Sequence, residues 1–372
     1  MIRFSITNIF LLNIISLKNL TATLWLMLLI AFSLIGFVGC SPDVPIVDKT
    51  SDIDFSRIIE TSQFRFPVWL PSQQIALMNN DNNKNLVGEI FDLEHKQWRT
   101  ISFPGIERCS ITFINAWQRL PDGRLGFIYE CIDDKGILND PGHYLIAWNE
   151  MTDEFEILRD YDKPLHPYVF AVLPDFEQLF QETNGGRIHY KLYQVSLDKD
   201  DMVQLFPDFY RAGWPSLSPS GGTVAFAANE DGPGSKGNLF TGFFNLSNEI
   251  FYPWQLYLME ADGSNVRVVL SDIQFLSEIK WSPVAENLIA FRGKYKDMLG
   301  LWMYNLDTNQ LTFLWPEDEH IRIQYDWSPD GKQMVLQDCI SADDYEISDE
   351  VTCTLTIIIV PVSDSQNLDG QG

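Results

Sequence analysis

Residues 321–336 read Ile321-Arg-Ile-Gln-Tyr-Asp-Trp-Ser-Pro-Asp-Gly-Lys-Gln-Met-Val-Leu336 and predict a β-hairpin. The residues up to Trp327 alternate between apolar and polar side chains and include aromatic and β-branched types, which is typical of a half-buried strand. Pro329 fixes φ for a turn, Asp330 can hydrogen-bond its own backbone, and Gly331 tolerates the left-handed conformation. Apolar residues then resume. The stretch therefore predicts two antiparallel strands joined by a tight turn.

The same pattern recurs along the chain. In each copy a proline follows one strand-like segment and precedes a second short apolar run. The six equivalent prolines are Pro71, Pro121, Pro174, Pro219, Pro283 and Pro329. Strand-rich repeats of this length are typical of propeller blades. The sequence therefore predicts an all-β fold, a six-bladed β-propeller with four antiparallel strands in each blade.

Two stretches also resemble a known family. The element Trp327-Ser-Pro-Asp-Gly-Lys332 and the run Leu256-Tyr-Leu-Met-Glu-Ala-Asp-Gly-Ser-Asn-Val-Arg267 resemble the repeats of TolB-like (PD40, or WD40-like) β-propellers. The resemblance covers roughly residues 53–362, and the third repeat departs from it with Phe176 where the family has glycine. TolB itself has an additional N-terminal domain and contacts a peptidoglycan-associated lipoprotein. Because only a tether is expected at that place here, the resemblance does not carry that partner over.

The last blade is predicted to lack an outermost strand of its own. Its third strand is the apolar run of residues 355–360, and residues 363–372 are polar and are expected to form a flexible tail. Residues 55–60 have the pattern of an outer strand but no blade of their own. Since an open sheet edge invites aggregation, we expect this N-terminal strand to pair beside residues 355–360 and close the last blade.

Composition and charge restrict the partners. The chain has 26 basic and 51 acidic residues, a formal net charge of −25. Nucleic-acid binding requires clustered cations on the phosphates, so this balance argues against it. With 45% hydrophobic residues the chain can bury a large core, which excludes disorder as a description of the whole. We expect a monomer.

The N-terminal region predicts export. Residues 20–39 are apolar and uncharged and end in Gly36-Phe-Val-Gly-Cys40. This resembles a bacterial lipoprotein signal peptide of residues 1–39, after which Cys40 becomes the acylated N-terminus, and residues 40–52 are expected to form a tether. The alternative is an uncleaved transmembrane anchor, for which about twenty apolar residues suffice. Either way we expect attachment to the cell membrane or outer membrane, facing the periplasm or the exterior.

The remaining four cysteines suit an oxidising compartment, although four cysteines allow three pairings. Cys109 begins the first strand of its blade and Cys131 ends the second, so both reach the same edge. Cys339 ends a second strand and Cys353 begins the third. We therefore predict the disulfides Cys109–Cys131 and Cys339–Cys353.

The predicted loops differ between the two faces of the propeller. The face that carries the links between second and third strands is called the top face here. Three of these links are long, at residues 132–143, 229–253 and 340–352. Because loops carry function more often than the scaffold does, their elaboration predicts a binding surface on the top face.

The third of these links contains the predicted binding residues. They are Asp343, Asp344, Tyr345 and Glu346. The aromatic ring and polar tip of Tyr345 suit an anchor, and the carboxylates favour a basic partner. The alternative is that the three links are only solvated insertions.

No catalytic residue, metal site or cofactor is predicted. The sequence has neither a Gly-x-Ser-x-Gly elbow nor a His-Glu-x-x-His motif. The histidines lie in different blades without ligand spacing: His95, His143, His166, His189 and His320. We therefore predict a lipid-anchored module that binds a protein, peptide or glycan of the cell envelope. The alternative is an envelope hydrolase or lyase with acidic or histidine residues at the propeller axis.

Overall fold

The structure is a computed structural model. It describes residues 44–48, 55–62, 65–80, 86–101, 110–132, 142–161, 167–184, 190–199, 201–230, 253–317, 321–340 and 352–360. The strands belong to one compact unit, Ile46–Gly372, and of the other unit, Met1–Pro45, only Val44 and Pro45 are described. Within these ranges the regular structure is entirely β, and no helix is long and apolar enough to cross a membrane.

Two strands precede the first blade, and three complete blades follow them. The first two strands are β1 (Ile46–Asp48) and β2 (Phe55–Ser62). Blade 1 has β3 (Arg65–Trp69), β4 (Gln74–Asn80), β5 (Leu86–Asp92) and β6 (Gln97–Ile101). Blade 2 has β7 (Ser110–Arg119), β8 (Leu125–Ile132), β9 (Gly142–Asn149) and β10 (Glu154–Tyr161). Blade 3 has β11 (Pro167–Val172), β12 (Gln178–Asn184), β13 (Tyr190–Ser196) and β14 (Met202–Gln204).

The remaining strands complete the ring of blades. Blade 4 has β15 (Arg211–Leu217), β16 (Thr223–Asn229), β17 (Trp254–Glu260) and β18 (Arg267–Ile273). Blade 5 has β19 (Phe275–Trp281), β20 (Leu288–Tyr295), β21 (Met298–Asn305) and β22 (Gln310–Pro316). Blade 6 has β23 (Ile321–Trp327), β24 (Gln333–Ile340), β25 (Thr352–Ile359) and, as its outermost strand, β2. The predicted all-β, six-bladed propeller of four-stranded antiparallel blades is confirmed.

The predicted closure of the last blade is also confirmed. Strand β2 runs antiparallel to β25, with Phe55 opposite Ile358 and Ser62 opposite Thr352. Residues from near the two ends of the described chain thus share one sheet. Because β2 pairs with the hydrogen-bonding edge of β25, blade 6 has four strands, as blades 1 to 4 do.

The region expected to be a tether contains one strand that the sequence analysis missed. Strand β1 pairs in parallel with β22, with Ile46 opposite Leu311 and Asp48 opposite Phe313, and gives blade 5 a fifth strand. The side chains of Ile46 and Val47 are half-buried there. The reason is local: two β-branched residues suit an extended strand, and β22 offers an edge for pairing.

The turn between the first and second strands keeps one geometry in most blades. A backbone N–H in the left-handed region donates to the carbonyl three residues earlier, at 2.8 to 3.2 Å. The donors are Gln73, Gly123, Phe176, Gly221 and Gly331. Phe176, at φ 57°, takes the conformation that glycine has in three of its counterparts and that Gln73 has in the fourth. The turn therefore fixes the backbone conformation, and glycine is the residue that adopts this conformation with the least strain.

Apolar side chains fill the seams between neighbouring blades. At the seam that joins blade 6 to blade 1, Trp69, Ile75 and Leu77 pack with Val335 and Leu355. All five are fully buried. The tryptophans that precede three of the repeat prolines are buried as well, at Trp69, Trp281 and Trp327.

Candidate functional site

The first strands of the blades surround the propeller axis, and polar groups near them join every pair of neighbouring blades. Each contact is a hydrogen bond from a donor in one blade to an acceptor in the next, and four of them have donor–acceptor distances of 2.7 to 3.0 Å. In ring order they are Trp69 N to Asp326 Oδ2 (2.8 Å), Arg119 to Trp69 O, Gln118 to Phe170 O, Trp214 N to Glu182 Oε2 (2.7 Å), Trp281 N to Ser216 Oγ (2.9 Å) and Lys280 Nζ to Asp326 Oδ1 (3.0 Å).

These contacts explain what the ionisable residues around the axis do. Asp326 joins blade 6 to both of its neighbours, because one carboxylate oxygen accepts from Trp69 and the other from Lys280. Its side chain is 14% exposed and that of Lys280 is 26% exposed. Half-buried charges are stabilised by such pairing, so both groups are committed to holding blades together.

Glu182, on β12 of blade 3, is a buried carboxyl group whose pKa is strongly raised. Its side chain is buried and accepts the backbone N–H of Trp214. Burial raises the pKa of Glu182 to about 7, and the hydrogen bond from Trp214 opposes this only in part. A side chain at Gly213 would overlap the carboxyl group of Glu182, so the close approach of β15 requires glycine there.

Local backbone geometry aims that N–H at the carboxyl group. Trp214 has a φ of 56°, and the register of β15 shifts between Gly213 and Ser216 in a β-bulge. A bulge re-aims the groups of an inner strand, which here turns the N–H of Trp214 toward blade 3. Sequence reasoning missed Glu182. The one available signal was an acidic residue two positions after the apolar pair Leu179 and Phe180 of its repeat.

A second buried charged pair lies in blade 5. The guanidinium of Arg292 makes two hydrogen bonds to the carboxylate of Glu317, and it lies 4.8 Å from the ring centre of Phe275. The side chains of Arg292 and Glu317 are 11% and 2% exposed. A two-pronged pair of this kind satisfies both charges, so it stabilises the upper part of blade 5 and leaves no reactive group free.

The structure supplies no metal centre among its described residues. Nowhere in these ranges do three or more histidine, cysteine, aspartate or glutamate side chains come together in a way that could hold a metal ion. The exposed His95 pairs with Asp92, at 3.1 Å between Nδ1 and Oδ1, and hydrogen bonding to that carboxylate raises the pKa of His95. The other histidine side chains, His143, His166, His189 and His320, lie outside the description.

The predicted binding residues Asp343, Asp344, Tyr345 and Glu346 fall outside the described residues, but the strands that carry their loop do not. Strands β24 and β25 pair up to their last residues, with Ile340 opposite Thr352. The loop therefore leaves blade 6 from a closed base, at the end where second strands meet third strands.

The described strand ends also locate the other two long links. One joins the end of β8 at Ile132 to the start of β9 at Gly142, and another joins β16 at Asn229 to β17 at Trp254. By contrast, the corresponding link of blade 5 is only Lys296 and Asp297. Long links thus occur in blades 2, 4 and 6, at the same end of each sheet.

Three of the four cysteines that were predicted to form disulfides lie in described strands. The register of β24 and β25 places Cys339 opposite Cys353, and Cys353 is buried and disulfide-bonded. Cys131 is in β8, opposite Ile111, whereas Cys109 is outside the described residues. The pairings Cys339–Cys353 and Cys109–Cys131 stay predictions. The signal peptide of residues 1–39 and the acylation of Cys40 are outside the description as well.

This architecture defines the chain as a six-bladed β-propeller whose last blade is closed by β2. No protein-family model matches it. The Tol-Pal system protein TolB of Alcanivorax borkumensis is 25% identical over 158 residues, which are 42% of this chain and 35% of that protein. The matched part thus spans about a third of the relative's length.

A solved structure has the same fold, and a second is similar to a lesser degree. A TolB candidate from Agrobacterium tumefaciens superposes with a TM-score of 0.51 and 15% identity, over 83% of this chain and 98% of that one. TolB from Acinetobacter baumannii gives 0.49 and 14%, over 76% and 63%. The predicted resemblance to TolB-like β-propellers is confirmed as a likeness in sequence to TolB and in fold to the Agrobacterium structure.

Proposed function

We propose that this protein is an exported module of the cell envelope that binds a protein partner, or a peptide or glycan, through its top face. Its likeness to TolB, a protein of the Tol-Pal system, supports a protein partner in the envelope. Cys40 is the proposed acylation site that attaches the chain to a membrane.

The observation that carries the proposal is the closed base of the loop at residues 340–352. A loop whose ends are fixed by paired strands loses less conformational freedom on binding than a free one. The pairing of Ile340 with Thr352, next to Cys339 and Cys353, provides such an anchorage. In sequence Tyr345 stands between Asp344 and Glu346, so a basic partner is favoured, and binding should weaken as salt rises.

The ionisable residues described around the axis give no separate support to catalysis. Lys280 and Asp326 bind each other, and Glu182 is closed off by the backbone of blade 4. Because these groups are already hydrogen-bonded within the scaffold, a binding surface built from loops is the better-supported function.

The test uses two variants and the partner recovered from the native envelope. One replaces residues 340–352 with a short Gly-Ser link, and the other alters the exposed bottom-face turn at residues 262–265. We expect the first to lose binding and the second to keep it, while both retain the same melting temperature. Loss of binding in the bottom-face variant alone would show that the functional face is the opposite one.

A further inference from the structure

An open groove lies between the outer parts of blades 4 and 5, toward the bottom face. Its volume is about 710 Å³. One wall is β18, through Arg267 and Val269, and the other is formed by two turns of blade 5. The residues of those turns are Val284, Ala285, Glu286, Asn287, Tyr304, Leu306, Asp307 and Asn309.

Most polar groups of this groove are already occupied. Glu286 accepts the backbone N–H of Ser220 at 2.7 Å, and Asp307 accepts the side-chain amide of Asn287 at 2.7 Å. The hydroxyl of Tyr304 donates to the carbonyl of Val269 at 2.9 Å. These bonds join the two blades and leave the walls of the groove fixed in place.

Arg267 is different. Its side chain is exposed, and within the described part of the chain its guanidinium has no hydrogen-bond or ion-pair partner. Burial raises the pKa of the nearby Tyr304 hydroxyl, and Arg267 is close enough for its positive charge to lower that pKa by a smaller amount. The groove also contains the carboxylates of Glu286 and Asp307, which are held by their own hydrogen bonds. A carboxylate ligand would therefore bind at the Arg267 end of the groove, where the guanidinium has no partner of its own among the described residues.

Arg267 also begins an edge strand, whose carbonyl at Val269 is the one outer backbone group already seen to be hydrogen-bonded among the described residues. Strand β18 is the outermost strand of blade 4 and pairs only with β17 among the described strands. Val266 and Val268, on either side of Arg267 in sequence, are 39% and 43% exposed. An edge strand with exposed β-branched side chains can accept a further strand, whose side chains would cover the valines.

The molecule itself contains an example of this kind of binding. In blade 5 the outermost strand β22 accepts the short extended segment β1, with Ile46 opposite Leu311 and Val47 opposite Thr312. A three-residue strand is enough to pair there. The outer edges of this propeller are thus capable of holding short extended segments.

We propose that β18 and the adjoining groove bind an extended acidic peptide segment of a partner protein. The segment adds to the edge of β18, an apolar side chain covers Val268, and a carboxylate binds Arg267. This site lies on another face from the loop at residues 340–352 and does not depend on the function proposed for that loop.

The seam between blades 1 and 2 provides a matched control. Arg99 is an exposed arginine on β6, which is likewise the outermost strand of its blade. Its guanidinium, however, lies 5.6 Å from the ring centre of Trp148 in the next blade. The cation is therefore already engaged, and the same charge reversal at Arg99 should leave peptide binding unchanged.

The probe is a fluorescein-labelled peptide of alternating valine and glutamate, blocked at both ends, titrated against the purified full chain by anisotropy. We expect saturable binding that Arg267→Glu weakens roughly tenfold and Arg99→Glu does not change. The variant with residues 340–352 replaced should bind the peptide like the wild type. Amide hydrogen exchange should slow in β18 on binding, because strand addition occupies its outer backbone groups.

Three outcomes would overturn the proposal. The first is that the valine–glutamate peptide does not bind the wild type. The second is equal binding by the Arg267→Glu and Arg99→Glu variants, provided that both unfold at the wild-type temperature. The third is binding without slower exchange in β18, which would indicate a charge contact without strand addition.

Discussion

The backbone N–H of Trp69 donates a 2.8 Å hydrogen bond to Oδ2 of Asp326, and this bond joins the inner strand of blade 1 to that of blade 6. The two residues are far apart in sequence and meet only when the ring closes. Since the other oxygen of Asp326 accepts from Lys280 of blade 5, one carboxylate fixes three blades at the axis.

Replacing Asp326 with alanine should therefore destabilise the whole propeller. The change leaves the N–H of Trp69 and the ammonium of Lys280 without their acceptor, at a cost of about 3 kcal/mol in the free energy of unfolding. Asp326→Asn, which keeps one acceptor oxygen, should cost less. Urea unfolding measures both, with the exposed Asp201→Ala as a control expected to change little. Equal stability of the Asp326→Ala and Asp201→Ala variants would contradict this role.

Deleting residues 55–62 should abolish cooperative folding. These residues are the outermost strand of blade 6, and their loss exposes the edge of β25 together with the apolar seam beneath it. The matched control is deletion of Ile46–Asp48, which removes a fifth strand from a blade that is already complete. We expect that control to melt cooperatively at a slightly lower temperature. A normal melting curve for the longer deletion would show that closure does not depend on β2.

Stability should depend on pH through Glu182. Folding raises the pKa of this carboxyl from 4.5 to about 7, so its proton is held more tightly in the folded state. The resulting stabilisation is fully present below pH 4.5 and is lost as the pH rises through about 7, on the order of 3 kcal/mol in all.

Glu182→Gln should remove that dependence, because the amide keeps an acceptor for Trp214 and has no charge to bury. Urea unfolding at about pH 5 and about pH 8 tests this, and the exposed Glu177→Gln in the same blade is the control. The variant should be at least as stable as the wild type at the higher pH. If its stability changes with pH as the wild type's does, Glu182 is not the titrating group.

Peptide mapping of the non-reduced protein should find Cys339–Cys353 and Cys109–Cys131. Replacing Cys339 and Cys353 together with serine should lower the free energy of unfolding by about 2–4 kcal/mol, because the cross-link restricts the unfolded chain. Reduction of the wild type should have a comparable effect. A link between Cys109 and Cys339 would refute the predicted pairing.

Much of the fold could be predicted from the sequence because each blade repeats local chemistry. Turn residues such as Asp330 and Gly331 act within a few positions, and the alternation before Trp327 reports burial on one face. The third repeat shows why this works even when a residue departs from the pattern. Phe176 takes the left-handed conformation at φ 57° because the flanking strands and their hydrogen bonds fix it.

The features that could not be predicted all depend on contacts between different blades. Nothing near Ile46 in sequence indicates that it lies beside Leu311, since a three-residue strand has little local signal. Glu182 reads as an ordinary acidic residue, and its raised pKa exists only because blade 4 covers it. The role proposed for Arg267 likewise could not be predicted, because the opposite wall of its groove is formed by blade 5.

The pairing of β2 with β25 also sets the order in which the molecule can be completed. Phe55 is made early in synthesis, yet its partner Ile358 is among the last residues of the described chain. Closing so long a loop is slow, because its entropy is lost before the contacts between distant strands form. Until Thr352 to Ile359 have been synthesised, a growing chain can stack five blades but cannot join the first to the sixth. The final folding step therefore waits for β25, and a product truncated before Thr352 would be left as an open ring.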